Sequence, residues 1–140
     1  MAESDPPIDK LFDEAIKLRD NGDLAKAIEK LNQALAMDPE PRSTILLILG
    51  DLYHSQKTFD KARECLLEAV ELSPNSELAS LILFHTLWDM KDEWAAFREA
   101  KRFLSRHDSK EYFLMIKEMR DAFLDAGIDV KPSSSWRTGN

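Results

Sequence analysis

The sequence is poor in the residues that cross-link a chain, turn it sharply or load it with positive charge. One cysteine, Cys65, is present among 140 residues. No internal disulfide can form, and a lone thiol suits a reducing, cytoplasmic setting. Cys65 lies inside a helical pattern and reads as a small helix-face residue. Four glycines are too few for a barrel or sandwich with many tight turns. No run of Lys and Arg exceeds a dipeptide, and the net charge is −7. Nucleic-acid binding, which needs a basic face to displace phosphate counterions, is not expected. The longest apolar run, Ile45 to Leu49, is far too short to span a bilayer. The opening segment, Met1 to Pro7, is acidic and does not read as a secretory signal.

Signs of chemistry are equally sparse. His54, His85 and His107 are too scattered for a helical metal pair at i, i+4. His85 falls in a column of small residues and is expected to be packed, whereas His107 lies near a helix end, where a cation suits the dipole. There is no glycine-rich phosphate loop and no nucleophile elbow. Acidic pairs such as Glu68 and Glu71, or Asp89 and Asp92, read as solvated helix faces. No catalytic residue, metal or cofactor is expected.

What the sequence does have is a globular composition, 44% apolar and 32% charged, and an internal repeat. At a spacing of 35, Leu11, Leu46 and Leu81 stand in register. So do Ala15, Gly50 and His85; Leu18, Tyr53 and Trp88; and Leu24, Phe59 and Trp94. Ala27 pairs with Ala62, Leu31 with Leu66, Ala34 with Ala69, and Pro39 with Pro74. The third copy agrees through its first half and then drifts.

Each unit reads as a helical hairpin. Leu11, Ala15 and Leu18 share one face, and Asn21-Gly22 ends that helix with a residue suited to positive φ. Asp23 caps a second helix whose stripe is Leu24, Ala27, Ile28, Leu31 and Leu35. Pro39 and Pro41 break it. In the second unit Ile45, Leu46, Leu49 and Tyr53 face inward, Thr58 caps, and Phe59, Ala62, Leu66, Ala69 and Val70 form the next stripe, ended by Pro74. Small residues at Ala15, Gly50, Ala27 and Ala62 let the paired helices approach. A further helix follows, capped by Asp108 or Ser109 with Glu111 as reciprocal partner. Tyr112, Ile116, Met119 and Phe123 form its stripe, Arg120 and Asp121 face out, and Gly127 stops it.

These columns resemble the tetratricopeptide repeat family. Leu46, Leu49-Gly50, Tyr53, Phe59, Ala62, Leu66, Ala69 and Pro74 follow its pattern. So do Leu11, Ala15, Leu18, Gly22-Asp23-Leu24, Ala27, Leu31, Ala34 and Asp38-Pro39. The family spacing is usually 34, and one extra residue in the linker Glu40-Pro41-Arg42 would account for 35. The third unit departs from the pattern at His85, Phe97 and Lys101, and a one-residue slip would put Ala96 and Ala100 inward instead. The resemblance implies an all-α, α-solenoid fold of about three helix-turn-helix hairpins plus a C-terminal capping helix, seven helices in all. The expected single domain covers 1–127, with repeats at about 8–40, 43–75 and 76–107 and a capping helix at 109–126. A tail, 128–140, follows.

The family binds partners on the concave face formed by the first helix of each hairpin. Carried across, its groove positions are Asp9, Phe12, Ile16 and Arg19; Thr44, Leu47, Asp51 and His54; and Ala79, Ile82, Thr86 and Asp89. One subset of the family grips C-terminal carboxylates through Lys, Arg and Asn. At those positions this chain has Phe12, Ile16, Ile48, Ala79 and Leu83, none of which donates a hydrogen bond from its side chain. The helix from Thr44 to His54 is apolar on nearly every side, which asks for cover from a partner. The leading expectation is a non-catalytic adaptor that binds an apolar peptide or helix of another protein. The alternatives are a homo-oligomer that uses groove and tail, and a small secretion-type chaperone for apolar client segments. In the tail, Ile128, Val130 and Trp136 either dock on this chain or a second copy, or belong to an unstructured end.

Overall fold

The computed structural model describes residues 7–125. Among these the chain is all-helical, with no strand: α1 (Ile8–Asp20), α2 (Leu24–Ala36), α3 (Arg42–Ser55), α4 (Phe59–Leu72), α5 (Glu77–Asp89), α6 (Glu93–Leu104) and α7 (Lys110–Asp125). Ile128, Val130 and Trp136, the expected docking residues, and Gly127, the expected helix stop, lie outside the described residues. Consecutive helices pair as hairpins: α1 with α2, α3 with α4, and α5 with α6. The chain divides into two compact units after Pro74, where the sequence suggests one domain.

The hairpin turns share one device. Gly22, Lys57 and Lys91 all adopt left-handed backbone, with φ of 83°, 63° and 65°. This reverses the chain and lets the next residue cap the second helix. Asp23 and Asp92 accept from the amides of Lys26 and Ala95. Thr58 stands at the equivalent position but makes no side-chain capping bond, contrary to expectation. The helices end where proline intervenes, α2 at Ala36 before Pro39 and α4 at Leu72 before Pro74.

In the first unit, Leu11, Ala15, Ala27, Ile28, Leu31 and Ala34 form a buried core that Ile45, Leu49 and Leu52 of α3 complete. Gly50 is required by its neighbour. A Cβ at this position would stand 2.5 Å from Leu66 Cγ, so no larger residue fits unless the Leu66 side chain shifts. The helices are also tied by Lys30 to Glu14 at 3.3 Å and by Arg42 Nε donating to Glu68 at 2.6 Å. Asn32 of α2 donates to the Tyr53 hydroxyl of α3.

The second unit follows a different register from the one expected. Its buried positions are Ala79, Ser80, Leu83, Phe84, Thr86 and Leu87 on α5, with Ala96, Ala100, Phe103 and Leu104 on α6. These fall 34 residues after Ile45, Leu46, Leu49, Gly50, Leu52 and Tyr53, and after Ala62, Leu66, Ala69 and Val70. The reason is linker length. Met37–Pro41 separates α2 from α3, whereas Ser73–Ser76, one residue shorter, separates α4 from α5. The spacing is therefore 35 and then 34, and the slip that places Ala96 and Ala100 inward is realised.

Three expectations change with it. His85 is exposed, not packed, because Phe84 takes the small-residue position. Trp94 is off the column of Leu24 and Phe59, which at the 34-residue step falls on the exposed Glu93, and is itself 75% exposed. Leu81 gives way to Ser80, which is fully buried.

A buried serine needs partners, and two supply them. Ser80 Oγ donates to Glu99 Oε2 at 2.6 Å. With its single proton committed there, it accepts from the Tyr112 hydroxyl, also at 2.6 Å. Arg102 completes the relay by donating to both oxygens of Glu99. Burial, above all, holds the Tyr112 phenol above its ordinary value, so it stays a donor. The relay joins α5, α6 and α7, and Phe84 packs edge-on against Tyr112 beside it. Ser109 caps α7 by accepting from the Tyr112 amide. Tyr112 is thus the third helical residue, so Glu111 is not the reciprocal cap. Arg120 does not simply face out: it is half-buried, and its Nε is buried without a hydrogen bond.

Candidate functional site

The positions singled out for binding lie on first helices, and the first unit brings several of them together. Asp9 and Phe12 of α1 and Thr44 of α3 line one cleft of about 230 Å³. Ile8, Ile45, Pro39, Glu40 and Pro41 complete it. The α2–α3 connection thus forms a wall, and its buried Pro39 fixes the chain where Glu40 reaches the rim. Ile16 continues the α1 face one turn beyond Phe12, and Leu47 and Ile48 continue the α3 face one turn beyond Thr44. All four of Phe12, Ile16, Leu47 and Ile48 are half-buried, so apolar surface remains within reach of a partner. At the far ends stand Arg19, which donates to neighbouring Asp20, the half-buried Asp51, and His54, whose ring lies 5.5 Å from that of Phe59.

In the second unit the expected positions do not all reach the surface. Ile82 is half-buried and Asp89 exposed, but Ala79 and Thr86 are buried. Thr86 spends its hydroxyl on the Ile82 carbonyl of its own helix. The one-residue change of spacing explains this. Counted at 34 from Thr44, Leu47, Asp51 and His54, the equivalent positions are Leu78, Leu81, His85 and Trp88. Leu78 is 57% exposed, His85 is exposed, and Leu81 and Trp88 are half-buried. Sequence reasoning missed these four. The signal that finds them is the count of residues between the breaking prolines and the next helix. At the clamp positions the same shift replaces Ala79 and Leu83 by Leu78 and Ile82, which also lack side-chain donors.

No group of three or more His, Cys, Asp or Glu among the described residues could hold a metal ion. Cys65 is half-buried. Burial first, then Glu64 and Glu68, pushes its thiol up to about 11, so at neutral pH it is not a nucleophile. Among the described residues no helix is long and apolar enough to cross a membrane.

Residues 12–77 match the family model of the tetratricopeptide repeat. No curated protein matches the chain. The matched segment runs from within α1 to the first residue of α5, and the 34-residue step carries the same buried pattern through α6. Repeats of this family generally mediate protein–protein interaction. The match over residues 12–77 and the seven helices among the described residues support a protein of the tetratricopeptide repeat family.

Proposed function

We propose that this protein is a non-catalytic scaffold that binds an apolar peptide or helix of a protein partner on its first-helix faces. The observation that carries this reading is the half-buried strip Phe12, Ile16, Leu47 and Ile48, contiguous with the cleft at Asp9 and Thr44. Residues this apolar gain from being covered, at about 25 cal/mol per Å² removed from water. The corrected second-unit positions, Leu78, Leu81 and Trp88, have the same character. A lone, protonated thiol is compatible with a cytoplasmic setting.

The test is selection of displayed random 12-residue peptides on the immobilised full chain, followed by fluorescence polarisation of the enriched peptides. The expected result is apolar peptides whose affinity falls at least tenfold in Leu47→Glu and Ile16→Glu, with helical circular dichroism unchanged. Enriched peptides that ignore both substitutions would overturn the reading.

Self-association is the second reading. It is favoured by large apolar side chains exposed outside the first-helix strip: Leu67 and Leu72 on α4, Trp94 on α6 and Leu114 on α7. Light scattering behind size exclusion decides it. A dimer that becomes a monomer in Trp94→Ser or Leu67→Ser supports self-association, and a monomer at all concentrations rejects it.

A further inference from the structure

We propose that the cleft between the first turn of α1 and the α2–α3 connection receives an arginine side chain of the bound partner. The proposal deepens the peptide-binding reading above and rests on it.

Size limits the occupant first. Small-molecule sites generally enclose about 300–1,000 Å³, and this cleft, at about 230 Å³, is smaller. It suits one long side chain. Its walls are apolar, from Ile8, Phe12, Pro39, Pro41 and Ile45, and the polar side chains lining it are Asp9, Glu40 and Thr44. No Lys, Arg or His lines it.

The two carboxylates are unanswered. Neither Asp9 nor Glu40 makes an ion pair or side-chain hydrogen bond among the described residues. The cation nearest in sequence to Pro41, Arg42, is held on Glu68 at 2.6 Å. That hydrogen bond, more than the smaller attraction of Asp38, raises the Arg42 pKa. Lys10 follows Asp9 but points about 100° further round the helix. The preceding segment, residues 1–6, carries Glu3 and Asp5 and no Lys or Arg, so it offers no cationic side chain.

Charge complementarity then selects the chemistry. An acidic side chain would be repelled. A wholly apolar one would satisfy the walls and strip water from Asp9 and Glu40 without replacing it. A side chain with an apolar stem and a cationic head meets both demands. Arginine meets them better than lysine, because a planar guanidinium can lie on the Phe12 ring and divide its donors between two carboxylates. The net charge of −7 would draw such a partner in at low ionic strength.

The test is an NMR titration of the isotopically labelled full chain at low salt. The probes are blocked peptides of leucine and alanine that differ in one central residue: arginine, its uncharged near-isostere citrulline, or glutamate. The expected result is binding in the order arginine, citrulline, glutamate, with arginine preferred over citrulline by about three- to tenfold. Shifts should centre on the amides of Phe12, Thr44 and Ile45. In the Asp9→Asn, Glu40→Gln double variant, whose substitutions are both at exposed positions, arginine and citrulline peptides should bind equally. Equal binding of the two to the unmodified chain would overturn the arginine site and leave the peptide-binding reading standing. A preference that survives the double variant would also overturn it, by assigning the effect to bulk charge. If no peptide shifts any amide of α1 or α3, both readings fall.

Discussion

Hairpins α3/α4 and α5/α6 solve one packing problem in two ways. In the first, the crossing point pairs the smallest residue, Gly50, with a large one, Leu66, at 2.5 Å from where a Cβ would lie. In the second, the equivalent positions are Phe84 and Ala100, both buried. Large and small have changed helices. Leu46 and Ser80 form a second such contrast: one is a plain core leucine, the other anchors a hydrogen-bonded relay to Glu99 and Tyr112. A repeat therefore constrains the summed volume at a position pair and the satisfaction of its polar groups, and leaves the identities free.

The strongest way to break this comparison is to remove the large member. Leu66→Ala should cost about 3 kcal/mol, read by denaturant unfolding, because the site loses its filler and Gly50 cannot supply one. Ala100→Leu should cost about 2 kcal/mol by overpacking against the space that Phe84 already fills. A Gly50→Ala change should be markedly less costly in the Leu66→Ala background, with a coupling of about 1 kcal/mol. Equal cost in both backgrounds would mean that the Leu66 contact is not what excludes a side chain.

Tyr112→Phe sharpens the second contrast at about 1 kcal/mol, since it deletes one neutral hydrogen bond in a buried relay. It also has a pH signature. The folded-state phenol titrates above its unfolded value of about 10. Its contribution is therefore present below pH 10 and lost as pH rises beyond it, because the unfolded chain releases the proton first. Chemical unfolding followed from pH 8 to 11 should show this decline in the unmodified chain and a smaller one in Tyr112→Phe. The smallest effect concerns the turns, where the hairpins agree. Lys57→Gly and Lys91→Gly should each gain about 0.5 kcal/mol by relieving left-handed backbone.

Much of this was legible in the sequence. The periodicity of Leu11, Ala15 and Leu18, the Gly22-Asp23 turn and the prolines at 39 and 74 specify local structure through backbone sterics, and those elements lie where expected. The register of the third hairpin was harder to read. At a spacing of 35 it offered plausible partners in Leu81, Trp88 and Trp94, and burial depends on the linker that sets the helix phase. Ser80 illustrates the limit: a serine in a leucine column looks like a mismatch until Glu99 and Tyr112, 19 and 32 residues away, are brought to it. On α5 the positions carried over at a spacing of 35 include the buried Ala79 and Thr86, because the second step is 34.

The most direct test of the interaction-scaffold account is amide-shift mapping of one selected apolar peptide on the full chain. Shifts concentrated at Phe12, Ile16, Leu47 and Ile48 are expected, with the outer faces of α2 and α4 unaffected. Shifts centred instead on Leu67, Leu72 or Trp94 would contradict the account and move the working surface to the second helices of the hairpins.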